Sequence, residues 1–329
     1  MTSGMNLARR IALAFGLALA AGATAQAAGT VGTSLPADFP VITDASLGKP
    51  LIGFGAPGLV IRTPVIFVHG NNDTPFPTDC NGYGRVQAMA QHFADSGYST
   101  SELWALGYQG TQCDLLADQT IRSSFAHTDE ANVPDLRQFI QAVLKYTGAK
   151  EVDVVGHSLG VTLTREWMRQ DKSQRLVRRF VAIDGPNHGI INCSPSPDNY
   201  WQLAFLGGFT PSSAVCQELG SPNTPFLKRL NQAGENMGST RVLVIRTLDA
   251  SFVYLPVQDG VVAPVPAIDS YGNPTDFSRS ASIERAQELG LTGQGAYDPF
   301  LGTAHLGILN SPTTRQAAFE FLVAPSPRR

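Results

Sequence analysis

Hydrophobic positions along this chain follow two alternating patterns. Continuous apolar runs lie at Pro64 to Val68, Phe180 to Ile183 and Val242 to Ile245, and Val152 to Val155 is apolar apart from Asp153. Each is short and bounded by turn residues, as expected of a strand buried on both faces. Thr100 to Leu106 reads as a further strand. Between the runs, apolar residues recur at helical spacing. Val86, Met89, Ala90 and Phe93 form one stripe, closed by Gly97. Leu136, Phe139, Ile140 and Val143 form another, with Pro134 suited to its first turn and Gly148 to its end. A helical pattern follows Gly156 to about Gln170, and Ser311-Pro312 opens a last helix through about Val323. Strands alternating with amphipathic helices predict an α/β fold, a mostly parallel sheet with helices on both faces.

Two stretches break the alternation. Residues 28–60 are rich in Gly, Pro, Ser and Thr and read as an irregular arm with at most one edge strand. Pro186 to Gly238 is polar at both ends around an apolar patch that holds Trp201, Phe205, Leu206 and Phe209. It reads as an insertion over the sheet. Trp201, Phe205 and Phe209 are candidate contacts for an acyl chain; the plainer alternative is a helix packed on the sheet.

The first residues have the pattern of a signal peptide. Arg9 and Arg10 precede the apolar run Ile11 to Ala23, which is too short to span a bilayer comfortably, and Ala25-Gln26-Ala27 gives a small-residue cleavage site. The expected organisation is a signal peptide over 1–27 and a single catalytic domain over 28–329, with an insertion at about 186–238. An uncleaved N-terminal anchor is the alternative. Export gives the four cysteines a role, since an even count in an oxidising compartment suggests disulfides. The sequence-local pairs Cys80–Cys113 and Cys193–Cys216 are favoured, each pinning a long loop. No CxxC pair suggests zinc or redox chemistry.

Charge narrows the partners. The 24 basic and 27 acidic residues leave a net charge of −3. No polybasic stretch suggests a nucleic-acid surface or a membrane anchor. Beyond Ala23 no second apolar run is long enough to cross a membrane, and the chain is expected to act as a monomer.

Gly156-His157-Ser158-Leu159-Gly160 is a G-x-S-x-G motif between a strand and a helix. That is the context of a nucleophile elbow, where small residues permit a strained serine backbone. His69-Gly70-Asn71 closes the Pro64–Val68 run. A backbone N–H from such a loop and the N–H after the nucleophile can hold an oxyanion, which assigns Asn71 and Leu159. A serine hydroxyl needs a general base. His69 and His157 sit in these two loops, with side chains expected to turn away from Ser158 Oγ. His92 lies on a helix, His127 precedes the serine, and His188 follows too soon for an intervening acid. His305, between the last strand and the last helix, is the expected base. For the acid, Asp259 in Gln258-Asp259-Gly260 is favoured over Asp249, with Asp184 as the outsider because the acid occupies that position in some hydrolases.

Taken together, these segments resemble the α/β-hydrolase superfamily. More narrowly, the chain is similar to the small secreted bacterial lipases of class 2 type and to the lipase-like extracellular polyhydroxybutyrate depolymerase. The likeness rests on Thr63 to Asp73, Gly82-Tyr83-Gly84, Lys145 to Gly160 and Val177 to Gly189, and it resumes around Asp259 and His305. It implies Asn71 as an oxyanion donor and an acid in a short Asp-containing turn, matching Asp259. The depolymerase carries Ala where this chain has Gly156 and has a longer substrate-binding extension.

The expected activity is hydrolysis of carboxylic esters through an acyl-enzyme, on a lipid or polyester surface and without a cofactor. A polyester depolymerase and an acyltransferase use the same residues. A rival of another class is an inactive hydrolase fold serving as a binding module, which would typically have lost the serine or the histidine.

Overall fold

The structure is a computed structural model and describes residues 29–117, 128–195, 209, 211–232, 234–235, 237–249, 267–299 and 302–325. Seven strands form one sheet: β1 (Ile52–Phe54), β2 (Val65–Val68), β3 (Leu103–Gly107), β4 (Val152–His157), β5 (Val177–Ile183), β6 (Arg241–Thr247) and β7 (Gln287–Leu291). Their spatial order is β1-β3-β2-β4-β5-β6-β7. All pairings are parallel except that of β1 with β3.

The central strands β2, β3 and β4 are buried at every position, which accounts for their mainly apolar residues; the buried Asp153 of β4 is paired with Arg178. Helices cover both faces. On one side, α3 (Asp129–Thr147) and α4 (Leu159–Asp171) pack over Ile66, Val68, Val154 and Phe180. On the other, α1 (Arg85–Asp95) and α8 (Pro312–Val323) close over Phe67, Val155, Val181 and Ile245. The remaining helices are short: α2 (Cys113–Ala117), α5 (Ala214–Leu219), α6 (Pro225–Leu230) and α7 (Ala304–Gly307).

Two expectations need correction. The strand expected from Thr100 begins at Leu103, because Ser99 and Glu102 form a capping box that winds Thr100–Glu102 into a 3-10 turn. Pro134 is not in the first turn of its helix. The helix starts five residues earlier, at Asp129, where Thr128 accepts from the Ala131 N–H. The Glu218 carboxylate accepts from the N–H groups of Asp129 and Glu130, so a side chain distant in sequence extends the helix beyond what the local pattern indicates. The edge strand of the N-terminal arm is Ile52–Phe54.

The disulfides Cys80–Cys113 and Cys193–Cys216 are both present. The first ties the loop after β2 to α2. The second ties the segment after β5 to α5, and both of its cysteines are buried. No helix among the described residues is long and apolar enough to cross a membrane.

Candidate active site

Ser158 stands between β4 and α4 with φ 53° and ψ −126°. A non-glycine residue reaches this conformation only when the surroundings impose it, and such strain marks functional turns. The surroundings here are tight. A Cβ on Gly160 would lie 2.4 Å from the Val68 carbonyl oxygen and 2.6 Å from that of His69. A Cβ on Gly70 would lie 2.8 Å from Ser158 Cβ. Glycine at 160 lets α4 approach the end of β2. Glycine at 70 lets the loop after β2 run directly past the nucleophile candidate. The loop after β2 thus passes beside Ser158 at Gly70.

His305 lies in the one-turn helix α7 and is buried, with 7% of its surface exposed. Its approach is fixed on the upstream side by Asp298, whose carboxylate accepts from both the N–H (3.0 Å) and the hydroxyl (2.9 Å) of Thr303. His305 Nε2 is 3.0 Å from Ser158 Oγ. This is the distance at which a neutral imidazole accepts the serine proton.

Asp184 is the carboxylate facing the other ring nitrogen, with Oδ2 at 3.3 Å from His305 Nδ1. Asp184 is fully buried and sits immediately after β5, in a left-handed conformation of φ 45°. Its other oxygen accepts from the Thr247 N–H at 2.8 Å, at the end of β6. That bond turns the remaining oxygen toward the histidine. Asp259, the acid favoured from the sequence, lies outside the described residues. Asp249 Oδ2 accepts from the Gln294 N–H at 2.8 Å, on the turn leading to α7. The signal for Asp184 in the sequence was its place directly at the end of the strand beside the nucleophile strand. Against it stood the expectation of an acid after the strand that precedes the histidine loop.

Of the other histidines, His127 lies outside the described residues and the rest make contacts of their own. His69 stacks on Tyr108 with ring centroids 4.2 Å apart. Burial lowers the pKa of both His69 and His157, the latter well below the usual imidazole range. His188 faces Glu235, 2.7 Å from its Nε2. His92 is on α1, where burial and Arg315 lower its pKa.

Of the residues expected to contact an acyl chain, Trp201 and Phe205 lie outside the described residues. Phe209 is half-buried and packs against the core cluster that contains Ile190, Val215 and Leu219. Among the described residues no group of three or more His, Cys, Asp or Glu side chains is placed to hold a metal ion.

A parallel sheet with a strained serine at a strand-to-helix turn, and a histidine carried by the loop before the last helix, defines the α/β-hydrolase fold. The family model "Lipase (class 2)" matches residues 62–287, more than half of the chain. The chain therefore belongs to the class 2 lipase family and is a carboxylic ester hydrolase. Two solved structures share the fold. The mature form of the Bacillus licheniformis lipase BlEst2 aligns with a TM-score of 0.51 and 16% identity, over 83% of this chain and 97% of that one. The propeptide form of the same lipase aligns with a TM-score of 0.50 and 16% identity, over 85% of this chain and 54% of that one.

Proposed function

We propose that this chain is a secreted serine esterase or lipase in which Ser158 attacks the ester carbonyl and His305 takes its proton. The observation that carries the reading is the 3.0 Å contact between His305 Nε2 and Ser158 Oγ at a strained elbow. The N–H groups of Asn71 and Leu159 would hold the oxyanion, supported by the close passage of Gly70 beside Ser158. Asp184 is proposed as the acid that orients His305, from its 3.3 Å contact with Nδ1. Asp259 is the competing assignment, favoured by the Asp-containing turn of the family pattern. The alcohol leaves with the proton from His305, and water then cleaves the acyl-enzyme through the same groups. Secretion is supported by the N-terminal basic and apolar segment and by the two disulfides.

The test is Ser158→Ala, which should abolish hydrolysis of p-nitrophenyl esters and labelling by a fluorophosphonate while the protein stays folded. Losses of about 10⁴-fold or more are typical for such a residue. Wild-type turnover in folded Ser158→Ala would overturn the proposal. Running esters from acetate to palmitate beside emulsified triglyceride and polyester films assigns the substrate class. Polar replacements of Trp201, Phe205 and Phe209 should impair long esters more than acetates if that patch binds the acyl chain.

A further inference from the structure

The residue before the nucleophile points away from it and toward the base. His157 is the last residue of β4 and is 2% exposed. Its Nε2 lies 2.9 Å from the backbone carbonyl oxygen of His305. A carbonyl only accepts, so Nε2 must carry the proton and donate it. The ring of His157 lies 4.8 Å from that of His305, tilted by 33°. On its other side, a Cβ at Gly70 would come within 3.1 Å of His157 Nδ1. One buried imidazole thus touches both the loop beside Ser158 and the short helix that carries His305.

Its chemistry suits a fixed strut. Nδ1 is buried with no hydrogen-bond partner among the described residues, which leaves it as the bare nitrogen of a neutral ring. Burial, reinforced by the neighbouring His305 imidazole, holds His157 well below the usual imidazole range, so it stays neutral. A neutral ring adds no charge that would oppose protonation of His305 during turnover. At the end of the one-turn helix α7 the Ile308 N–H goes to the Ala304 carbonyl, while the His305 carbonyl accepts from His157.

We infer that His157 is a positioning residue for the base: through its Nε2–H it holds the His305 backbone, and so the imidazole, at reach of Ser158. The inference rests on the reading of Ser158 and His305 given above. It differs from a packing role because it depends on a donor at one atom, not on an aromatic ring of that size.

His157→Phe keeps a flat ring and removes the donor; His157→Gln returns an N–H near the Nε2 position. With a short p-nitrophenyl ester, His157→Phe should lower kcat about 10- to 100-fold, the scale of losing one oriented contact, with KM within about twofold. His157→Gln should recover most of that loss. Wild-type kcat in His157→Phe would overturn the inference, as would equal impairment of both variants. Should either variant fail to fold, nitrogen NMR of histidine-labelled wild-type protein decides. One imidazole should remain neutral with the proton on Nε2 from about pH 5 to 9, in keeping with a strongly depressed buried histidine. Finding every histidine either titrating in that range or protonated on Nδ1 would overturn it. Ser158→Ala is assayed in parallel. An active Ser158→Ala protein defeats the underlying mechanism, whereas an inactive one beside a normal His157→Phe protein defeats only the positioning role.

Discussion

Arg165, in the second turn of the helix behind Ser158, donates to Asn187 Oδ1 at 2.8 Å, three residues beyond Asp184. The same guanidinium reaches Asn231 Oδ1 at 2.9 Å and lies 3.7 Å from Glu235. Asn187 in turn donates to the Ala281 carbonyl, and Asn231 to the Asn187 carbonyl. A single buried cation therefore joins the nucleophile helix, the loop after β5 and the segment around 231–235. Arg165→Met removes the donors and strips Glu235 of one partner. Breaking a buried pair from one side costs about 3–5 kcal/mol. His188 still faces Glu235, so a loss of about 2–4 kcal/mol in urea unfolding is expected. A change below about 0.5 kcal/mol, the usual range for neutral surface substitutions, would show that the network is dispensable.

The acid can be assigned by comparing three isosteric variants. Asp184→Asn should reduce kcat by up to about 10⁴-fold, because the amide favours the wrong tautomer of the histidine. Asp259→Asn should stay near wild type. Asp249→Asn should cost no more than a few-fold, since Asp249 supports the turn at Gln294. The reverse ranking of Asp184 and Asp259 in steady-state kinetics would transfer the role to Asp259 and leave Ser158 and His305 in place.

Each disulfide restrains the unfolded chain. Sequence separations of 33 for Cys80–Cys113 and 23 for Cys193–Cys216 correspond to about 3–4 kcal/mol each in the loop-entropy description. Replacing Cys193 and Cys216 together by alanine should lower the unfolding free energy on that scale. Mass mapping under non-reducing conditions should find the two pairs and no alkylatable thiol. A native protein with four reactive thiols would contradict this.

A buried carboxyl makes stability depend on pH. Burial, followed by the neighbouring Asp44, raises the pKa of Asp135 to about 7. Its Oδ1 accepts from the Ala45 N–H at 2.9 Å, while Oδ2 and Asp44 Oδ2 are both buried without partners among the described residues. In the unfolded chain this carboxyl titrates near 4. Between about pH 4 and 7 the native state therefore holds a proton that the unfolded state has lost, and this contribution to stability declines as pH rises. Above about pH 7 the burial penalty is fully present. Asp135→Asn should raise stability at pH 8 by about 1–3 kcal/mol and do little at pH 4. Thermal melts at the two pH values check it; an equal effect at both would exclude a titration origin.

The sequence by itself determined the elements whose cause is local. Val65–Val68 and Phe180–Ile183 lie in strands because continuous apolar residues require burial on both faces, and Val152–His157 is apolar at Val152, Val154 and Val155 around the buried Asp153. The elbow at Ser158 follows from glycines spaced for close approach, and chain order alone left His305 as the candidate base. Strand β7 was missed because it lies at the sheet edge with Gln287 and Glu288 exposed. It carries no apolar period, and it is held by its ladder to β6 and by the Arg246–Glu288 pair at 2.6 Å. What only the tertiary structure decided are contacts between groups far apart in the chain. Asp184 and His305 are 121 residues apart, and their meeting depends on how β5, β6 and α7 converge. The bond from His157 to the His305 carbonyl, 148 residues away, depends on the same convergence. Periodicity records which face of an element is buried, but which polar group lies opposite is set by strand twist, loop path and a few hydrogen bonds.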